Sequence, residues 1–205
     1  MGHDQRAAHE PRHPVLLTLR AAAGVPSLRS IALFGAVRES IASLPVTDFR
    51  VLHFSVQEDH VHAIVEADSH ADLTHGIRGL TIRLAFAIKR VARIGKVWGD
   101  RYHTRALTTP REVRNAITYV LLNFRKHLRA PAGVDPRSSG PWFDGWARPP
   151  PTPRDPRPTS APRPWLASVG WRRGGLIELD EGPDPPRKFS RFASISAHTA
   201  TRSES

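Results

Sequence analysis

Two alternating apolar stretches follow each other with only three residues between them, and this restricts the fold more than any other feature. The first runs from about 49 to 56 and the second from 60 to 67, with Gln57, Glu58 and Asp59 at the corner. Alternation with a period of two predicts half-buried strands, and so short a corner joins antiparallel neighbours. The chain is therefore predicted to build a sheet around this hairpin.

Helical patterns, with apolar residues every three or four positions, lie on both sides of the hairpin. The predicted elements are, in order, a strand at 13–20, a helix at 31–44, the two hairpin strands, a helix at 69–94, a strand at 98–107 and a helix at 110–129. This is the ferredoxin-like, split βαββαβ order of an α+β fold, with an additional helix at its end. In that order both crossing helices lie on one face of the sheet, which leaves the other face free for a site.

The composition changes after residue 129, where prolines prevent regular structure and two tryptophan-bearing islands, 140–146 and 164–173, interrupt them. With 205 residues and 40% hydrophobic content, the chain can bury one ordinary core. The two islands either dock on that core or stack on the bases of a single strand. We predict a flexible N-terminus at 1–12, a folded domain at 13–129, a Pro/Trp-rich extension at 130–180 partly docked on the domain, and a disordered tail at 181–205.

The net charge of +11 favours a polyanionic partner, most often nucleic acid. The absence of cysteine excludes disulfides, thiolate metal sites and cysteine nucleophiles. The apolar runs are too short to span a membrane. We therefore expect a cytoplasmic, nucleoid-associated protein without a membrane partner.

His60 and His62 are two positions apart in a predicted strand, so both side chains leave the sheet by the same face. Two such imidazoles can hold one divalent cation, and they lie beside a polar corner where solvent and substrate have access. The alternative is a pair of surface histidines with no ligand.

Tyr119 lies on the polar side of the last predicted helix, in one narrow arc with Asn123 and Lys126. A tyrosine can act as a nucleophile, although its pKa of about 10 leaves few phenolates at neutral pH. A cation that polarises a phosphodiester would help, and Asn123 is a candidate third ligand beside the two histidines. Two nitrogens and an amide oxygen suit Mn²⁺, although Mg²⁺ is the alternative. An exposed tyrosine without a catalytic role also remains open.

These residues resemble the HUH single-tyrosine transposases. His60-Val61-His62 is similar to the His-hydrophobic-His signature of that family, residues 97–103 resemble its fourth-strand segment, and the Tyr119 helix follows at a similar spacing. The opening strand and the abundance of arginine are most similar to the REP-associated tyrosine transposases (RAYT). The resemblance covers about residues 13–129. Gln57-Glu58-Asp59 departs from the Met-Pro-Asn common before the first histidine.

The resemblance implies an enzyme that cuts single-stranded DNA beside a folded hairpin. Its metal ligands would be His60, His62 and Asn123, and its nucleophile would be Tyr119. The tyrosine would stay joined to the 5′ side of the cut and release a 3′-hydroxyl that can reverse the reaction. The protein would act as a monomer or a homodimer.

Phosphate contacts are predicted for Arg101 and Arg105, which we expect to leave the fourth strand in alternation, and for Lys126 beside the tyrosine. Each of the three could instead be a solvated charge. Two other functions remain open. One is a non-catalytic nucleic-acid-binding protein of the same fold, and the other is a structural Zn²⁺ or Ni²⁺ site at His60 and His62.

Overall fold

The structure, a computed structural model, describes residues 9–45, 47–122, 124, 133–151 and 153–181. Its main elements are β1 (Val15–Arg20), α1 (Ile31–Ala42), β2 (Phe49–Val56), β3 (His60–Ala67), α2 (His70–Ala92), β4 (His103–Ala106) and α3 (Pro110–Leu122). A short helix, α4 (Trp165–Ser168), and two 3₁₀ turns (Gly140–Trp142 and Gly170–Gly174) follow. None of the described helices is long and apolar enough to cross a membrane.

The four strands form one antiparallel sheet in the order β2-β3-β1-β4. Together with the order of the elements along the chain, this arrangement is the ferredoxin-like topology. The predicted fold class is therefore confirmed. β2 and β3 keep the bounds expected from the alternating pattern.

The first face of the sheet packs against α1 and α2. The sheet residues on this face and the buried side chains of the two helices form the first core. In α2 these side chains recur every three or four positions, for example Leu73, Ile77, Leu80, Leu84 and Ile88. Ser30 caps α1 and Ser69 caps α2, each by accepting a backbone N–H of the first turn. Ile31, the first residue of α1, lies outside the buried side of the helix and is 81% exposed.

The second face of the sheet carries α3 and the Pro/Trp-rich extension. Leu16, Leu52 and Ile64 supply the sheet side of this second core. The helix and the extension supply the remainder, chiefly Val113, Ile117, Val120, Leu121, Phe143, Trp146, Leu166, Trp171 and Ile177. α3 is thus held between the sheet and the extension.

The extension also covers the edge of β2. Ser138 forms an antiparallel bridge with Ser55, and the backbone N–H of Ser139 donates to the carbonyl of Phe54 at 2.9 Å. The buried carboxylate of Asp135 accepts two hydrogen bonds from Arg29, at 2.8 and 2.9 Å. Because an unpaired edge strand can pair with other chains, this cover protects the sheet.

Three details differ from the sequence prediction. β4 is four residues long rather than ten, because Trp98 forms only an isolated bridge and its indole N–H donates to Thr81 of α2. Arg101 consequently lies before the strand and does not alternate with Arg105. Strict alternation along 49–56 would place Leu52 and Phe54 on one face, but they lie on opposite faces, since a register shift between Val51 and His53 adds a residue to β2.

The described residues include only a small part of the two predicted chain ends. Residues 1–8 and 182–205 lie outside the described residues. Within the predicted N-terminal segment, His9 Nε2 contacts the carbonyl of Ala67 at 2.9 Å. Glu181, the first residue of the predicted tail, forms an ion pair with Arg114 of α3. Of the predicted continuation of α3 to 129, the structure describes only Phe124 beyond Leu122.

His53 of β2 is buried in the second core, where its ring meets Phe143 edge-on at a centroid distance of 5.3 Å. Burial, with a smaller contribution from the charge of Arg157, lowers the pKa of His53 from 6.5 to about 3. The imidazole is therefore neutral in the folded protein at neutral pH.

We expect the protein to lose stability as the pH falls from 6.5 towards 3. In this window the unfolded His53 takes up a proton that the folded one does not, which costs about 1.4 kcal/mol per pH unit. His53→Leu should flatten the slope, whereas His103→Leu, at an exposed position, should not. Urea unfolding at several pH values measures both. Equal slopes for the two variants would contradict the assignment to His53.

Candidate active site

The second face of the sheet presents a row of polar side chains beside α3. His62 of β3 lies between Ser55 of β2 and Thr18 of β1, and Thr18 is in turn opposite His103 of β4. His60, two residues before His62, points to the same side. The alternate residues of β3, such as Val61, are buried in the first core, and this burial fixes which face the histidines occupy.

α3 brings Tyr119 to this row. Its apolar side chains pack on the sheet and the extension, so the polar flank of the helix lies beside β3. The phenol oxygen of Tyr119 is 3.2 Å from Nε2 of His62, and the two ring centroids are 4.9 Å apart. The structure therefore brings together two residues that are 57 positions apart in the chain.

The rings of His60 and His62 are neighbours, and each has a protein oxygen close to Nδ1. Their ring centroids are 4.5 Å apart, and His62 is only 4% exposed. Nδ1 of His62 lies 3.0 Å from Oγ1 of Thr18, and Nδ1 of His60 lies 2.7 Å from a carboxylate oxygen of Asp59. In both rings Nδ1 lies within hydrogen-bond distance of a side-chain oxygen.

Asp59 and Tyr119 have shifted pKa values. The hydrogen bond from His60, assisted by the charge of Arg20, lowers the pKa of Asp59 below its usual value. Burial raises the pKa of the Tyr119 phenol, because the phenolate would lose its hydration. The phenol is thus protonated at neutral pH in the protein alone.

Two features of the site bear on whether His60 and His62 could hold a divalent cation. In metalloproteins a ligating imidazole usually donates its second ring N–H to a protein oxygen, and both histidines have such an oxygen at Nδ1. Within the described part of the chain, the structure has no cluster of three or more His, Cys, Asp or Glu side chains with the geometry of a metal site. Asn123, the predicted third ligand, lies outside the described residues.

Two of the three predicted phosphate-binding residues, Arg101 and Arg105, lie in the described part of the chain. Arg101 is exposed in the segment before β4. Arg105 donates to Glu112 at 2.7 Å and so joins β4 to the first turn of α3. Lys126 lies outside the described residues, and the predicted DNA contacts of all three remain predictions.

Thr18 was missed by sequence reasoning, and Asp59 was recognised only as part of a polar corner. Thr18 is 44 residues from His62, and only the register of β1 against β3 makes them neighbours. The position of Asp59 next to His60 in the sequence was a usable signal. Neither residue type by itself indicates a site.

Comparisons with known proteins give limited similarity. No family model matches the chain, and no curated protein matches it. One similar solved structure is a REP-associated tyrosine transposase bound to a REP hairpin. The two chains are 16% identical, the match covers 62% of this chain and 74% of the other, and the TM-score is 0.47. A likeness of this degree does not establish a shared activity.

Proposed function

We propose that the protein cuts and rejoins single-stranded DNA beside a hairpin through a covalent bond to Tyr119. The observation that supports this function is the 3.2 Å contact between the Tyr119 phenol and Nε2 of His62. A phenol held against an imidazole, in a chain of net charge +11, suits an attack on a phosphodiester. One copy of the chain carries both groups, so a monomer is sufficient, and a homodimer is compatible.

In the proposed reaction the phenol oxygen of Tyr119 forms a bond to phosphorus, and the bond from phosphorus to the 3′ oxygen breaks. The phenol loses one proton and the departing 3′ oxygen gains one, so the step is balanced. The 5′ phosphate remains on Tyr119. Because one phosphate diester replaces another, the released 3′-hydroxyl can reverse the reaction without ATP.

His60 and His62 are the proposed ligands of a Mg²⁺ or Mn²⁺ ion, with Asn123 as the third. Such an ion would supply Lewis-acid chemistry, since it draws charge from the phosphate and favours the phenolate. That assistance matches the need of Tyr119, whose pKa is raised by burial. Arg101, Arg105 and Lys126 are the proposed phosphate contacts.

A second candidate function is nucleic-acid binding without catalysis. The raised pKa of Tyr119 favours it, because a phenol without a bound cation is a weak nucleophile. This function predicts a salt-dependent affinity for DNA that survives both Tyr119→Phe and His60→Ala.

Trapping a covalent complex tests the proposed reaction. Hairpin-bearing single strands labelled at the 3′ end are incubated with the protein and Mn²⁺ and then denatured. We expect the label to remain on the protein, on the peptide that contains Tyr119, while the 5′ fragment carries a 3′-hydroxyl that a polymerase can extend. Salt-dependent binding of a broad panel of hairpins without any adduct would instead support the second candidate.

A further inference from the structure

Each of the two site histidines has a partner at the same ring atom. Asp59 contacts Nδ1 of His60 at 2.7 Å, and Thr18 contacts Nδ1 of His62 at 3.0 Å. The partners come from different elements, since Asp59 lies in the corner before β3 and Thr18 in β1. Nδ1 is therefore the contacted nitrogen in both rings, although the two partners come from different elements.

The proton positions follow from the chemistry of the partners. An ionised carboxylate only accepts hydrogen bonds, so Nδ1 of His60 carries a hydrogen and donates it to Asp59. His62 lies between two hydroxyls, the phenol of Tyr119 at Nε2 and the alcohol of Thr18 at Nδ1. A phenol is a stronger hydrogen-bond donor than an alcohol, because the negative charge of the phenolate spreads over the ring. Tyr119 therefore donates to Nε2, and Nδ1 of His62 donates to Thr18.

The partners are themselves held in place. Arg20 donates to Asp59 at 3.2 Å, and the carbonyl of Asp59 accepts the backbone N–H of Ala21 at 2.7 Å. Thr18 is half-buried in β1, which pairs with both β3 and β4, so its backbone is fixed on both sides. Thr18 is thus fixed within the sheet, and Asp59 is attached to β1 at the corner before β3.

We propose that Thr18 and Asp59 are positioning residues that hold His62 and His60 in the Nδ1–H tautomer, so that Nε2 is the nitrogen with the lone pair in both rings. This inference rests on the proposed function, in which Nε2 of each histidine would hold the cation; the Tyr119 phenol would then give up its hydrogen bond to His62. Neither positioning residue touches the reacting phosphate.

Two matched pairs of variants test the proposal in the full chain. Thr18→Val keeps the shape of the side chain but removes the oxygen, whereas Thr18→Ser keeps the oxygen. Asp59→Ala removes the acceptor, whereas Asp59→Asn keeps an accepting oxygen. Circular dichroism and urea unfolding establish that each variant is folded.

The first measurement needs neither metal nor activity. Long-range ¹⁵N–¹H correlation spectra report which ring nitrogen of a histidine carries the hydrogen. Because the Tyr119 phenol also favours the Nδ1–H form of His62, the Thr18 variants are compared in the Tyr119→Phe background. In that background we expect the Nδ1–H form of His62 with Thr18 or Thr18→Ser, and a mixture of tautomers with Thr18→Val. An unchanged His62 tautomer in Thr18→Val with Tyr119→Phe would overturn the role of Thr18, and an unchanged His60 tautomer in Asp59→Ala would overturn that of Asp59.

The second measurement is the affinity for Mn²⁺ by titration calorimetry. Loss of an outer partner of a metal-bound histidine weakens binding by about 10- to 100-fold, which we expect for Thr18→Val and Asp59→Ala but not for Thr18→Ser. If His62→Ala and Thr18→Val both bind Mn²⁺ as the wild type does, the proposed metal site fails, while the tautomer result still decides the positioning role. If only His62→Ala loses affinity, the metal site stands and the positioning role is overturned.

Discussion

Tyr119→Phe is expected to abolish the covalent DNA adduct and to lower strand cleavage by at least about 1,000-fold, because the variant has no nucleophile. The phenyl ring keeps the packing of Tyr119 against His62, where the ring centroids are 4.9 Å apart. The residues proposed to contact phosphates do not change, so the DNA affinity should stay within about threefold of the wild-type value. Denaturing gels measure the adduct, and fluorescence anisotropy measures the affinity.

The chain offers a matched control in Tyr102, its only other tyrosine. Tyr102 packs against the first core, on the other side of the sheet from His62. Tyr102→Phe should therefore form the adduct at the wild-type rate. An adduct that survives in Tyr119→Phe, or that disappears equally in both variants, would refute the assignment of Tyr119 as the nucleophile.

Glu66→Ala is expected to lower the free energy of unfolding by about 3 kcal/mol, because it removes one partner of a buried ion pair. The side chains of Glu66 and Arg50 are 0% and 2% exposed, and Arg50 donates to Glu66 through Nε. Glu66 also accepts the backbone N–H of Arg163, which attaches the extension to β3. Burial raises the pKa of Glu66 against the effect of Arg50, which reflects the cost of keeping a charge there.

An exposed ion pair provides the control for Glu66. Arg38 and Asp155 are 2.8 Å apart, with side chains 36% and 62% exposed. Asp155→Ala should change the unfolding free energy by less than about 1 kcal/mol, since water screens such pairs. Urea unfolding followed by tryptophan fluorescence compares the variants, and equal losses would contradict the buried-pair explanation. If Glu66→Ala does not fold, the double variant Arg50→Met with Glu66→Leu should recover a folded protein, because no buried charge is then left unpaired. Asp68, the other carboxylate that Arg50 contacts, is 44% exposed and keeps its ion pair with Arg163.

The covering of the second sheet face was beyond sequence reasoning. The tryptophan islands allowed either docking or base stacking, and nothing in their spacing distinguished these. In the structure Trp146 and Trp171 are each 2% exposed and pack with α3, whereas Trp165 is 48% exposed. Which aromatic residues find a partner depends on where the extension returns along β2, and proline-rich segments have no periodicity from which to predict that path.

The errors within the domain have similar causes. Alternation assigned Leu52 to the face of Phe54, but a bulge adds a residue without leaving a mark in the pattern. The apolar residues from 98 onward matched a long strand, yet Trp98 is used to contact α2 instead. Local patterns report which residues are apolar, whereas tertiary contacts decide what those residues meet.

By itself, the sequence determined the order of the elements, and from that order the ferredoxin-like sheet, because helical and strand periodicities differ and connections between elements are short. It also determined that His60 and His62 share a face. Only the tertiary structure decided that this face meets Tyr119 and that Thr18 lies against His62. These contacts depend on strand register and on the position of α3, which are set by packing between residues distant in the chain.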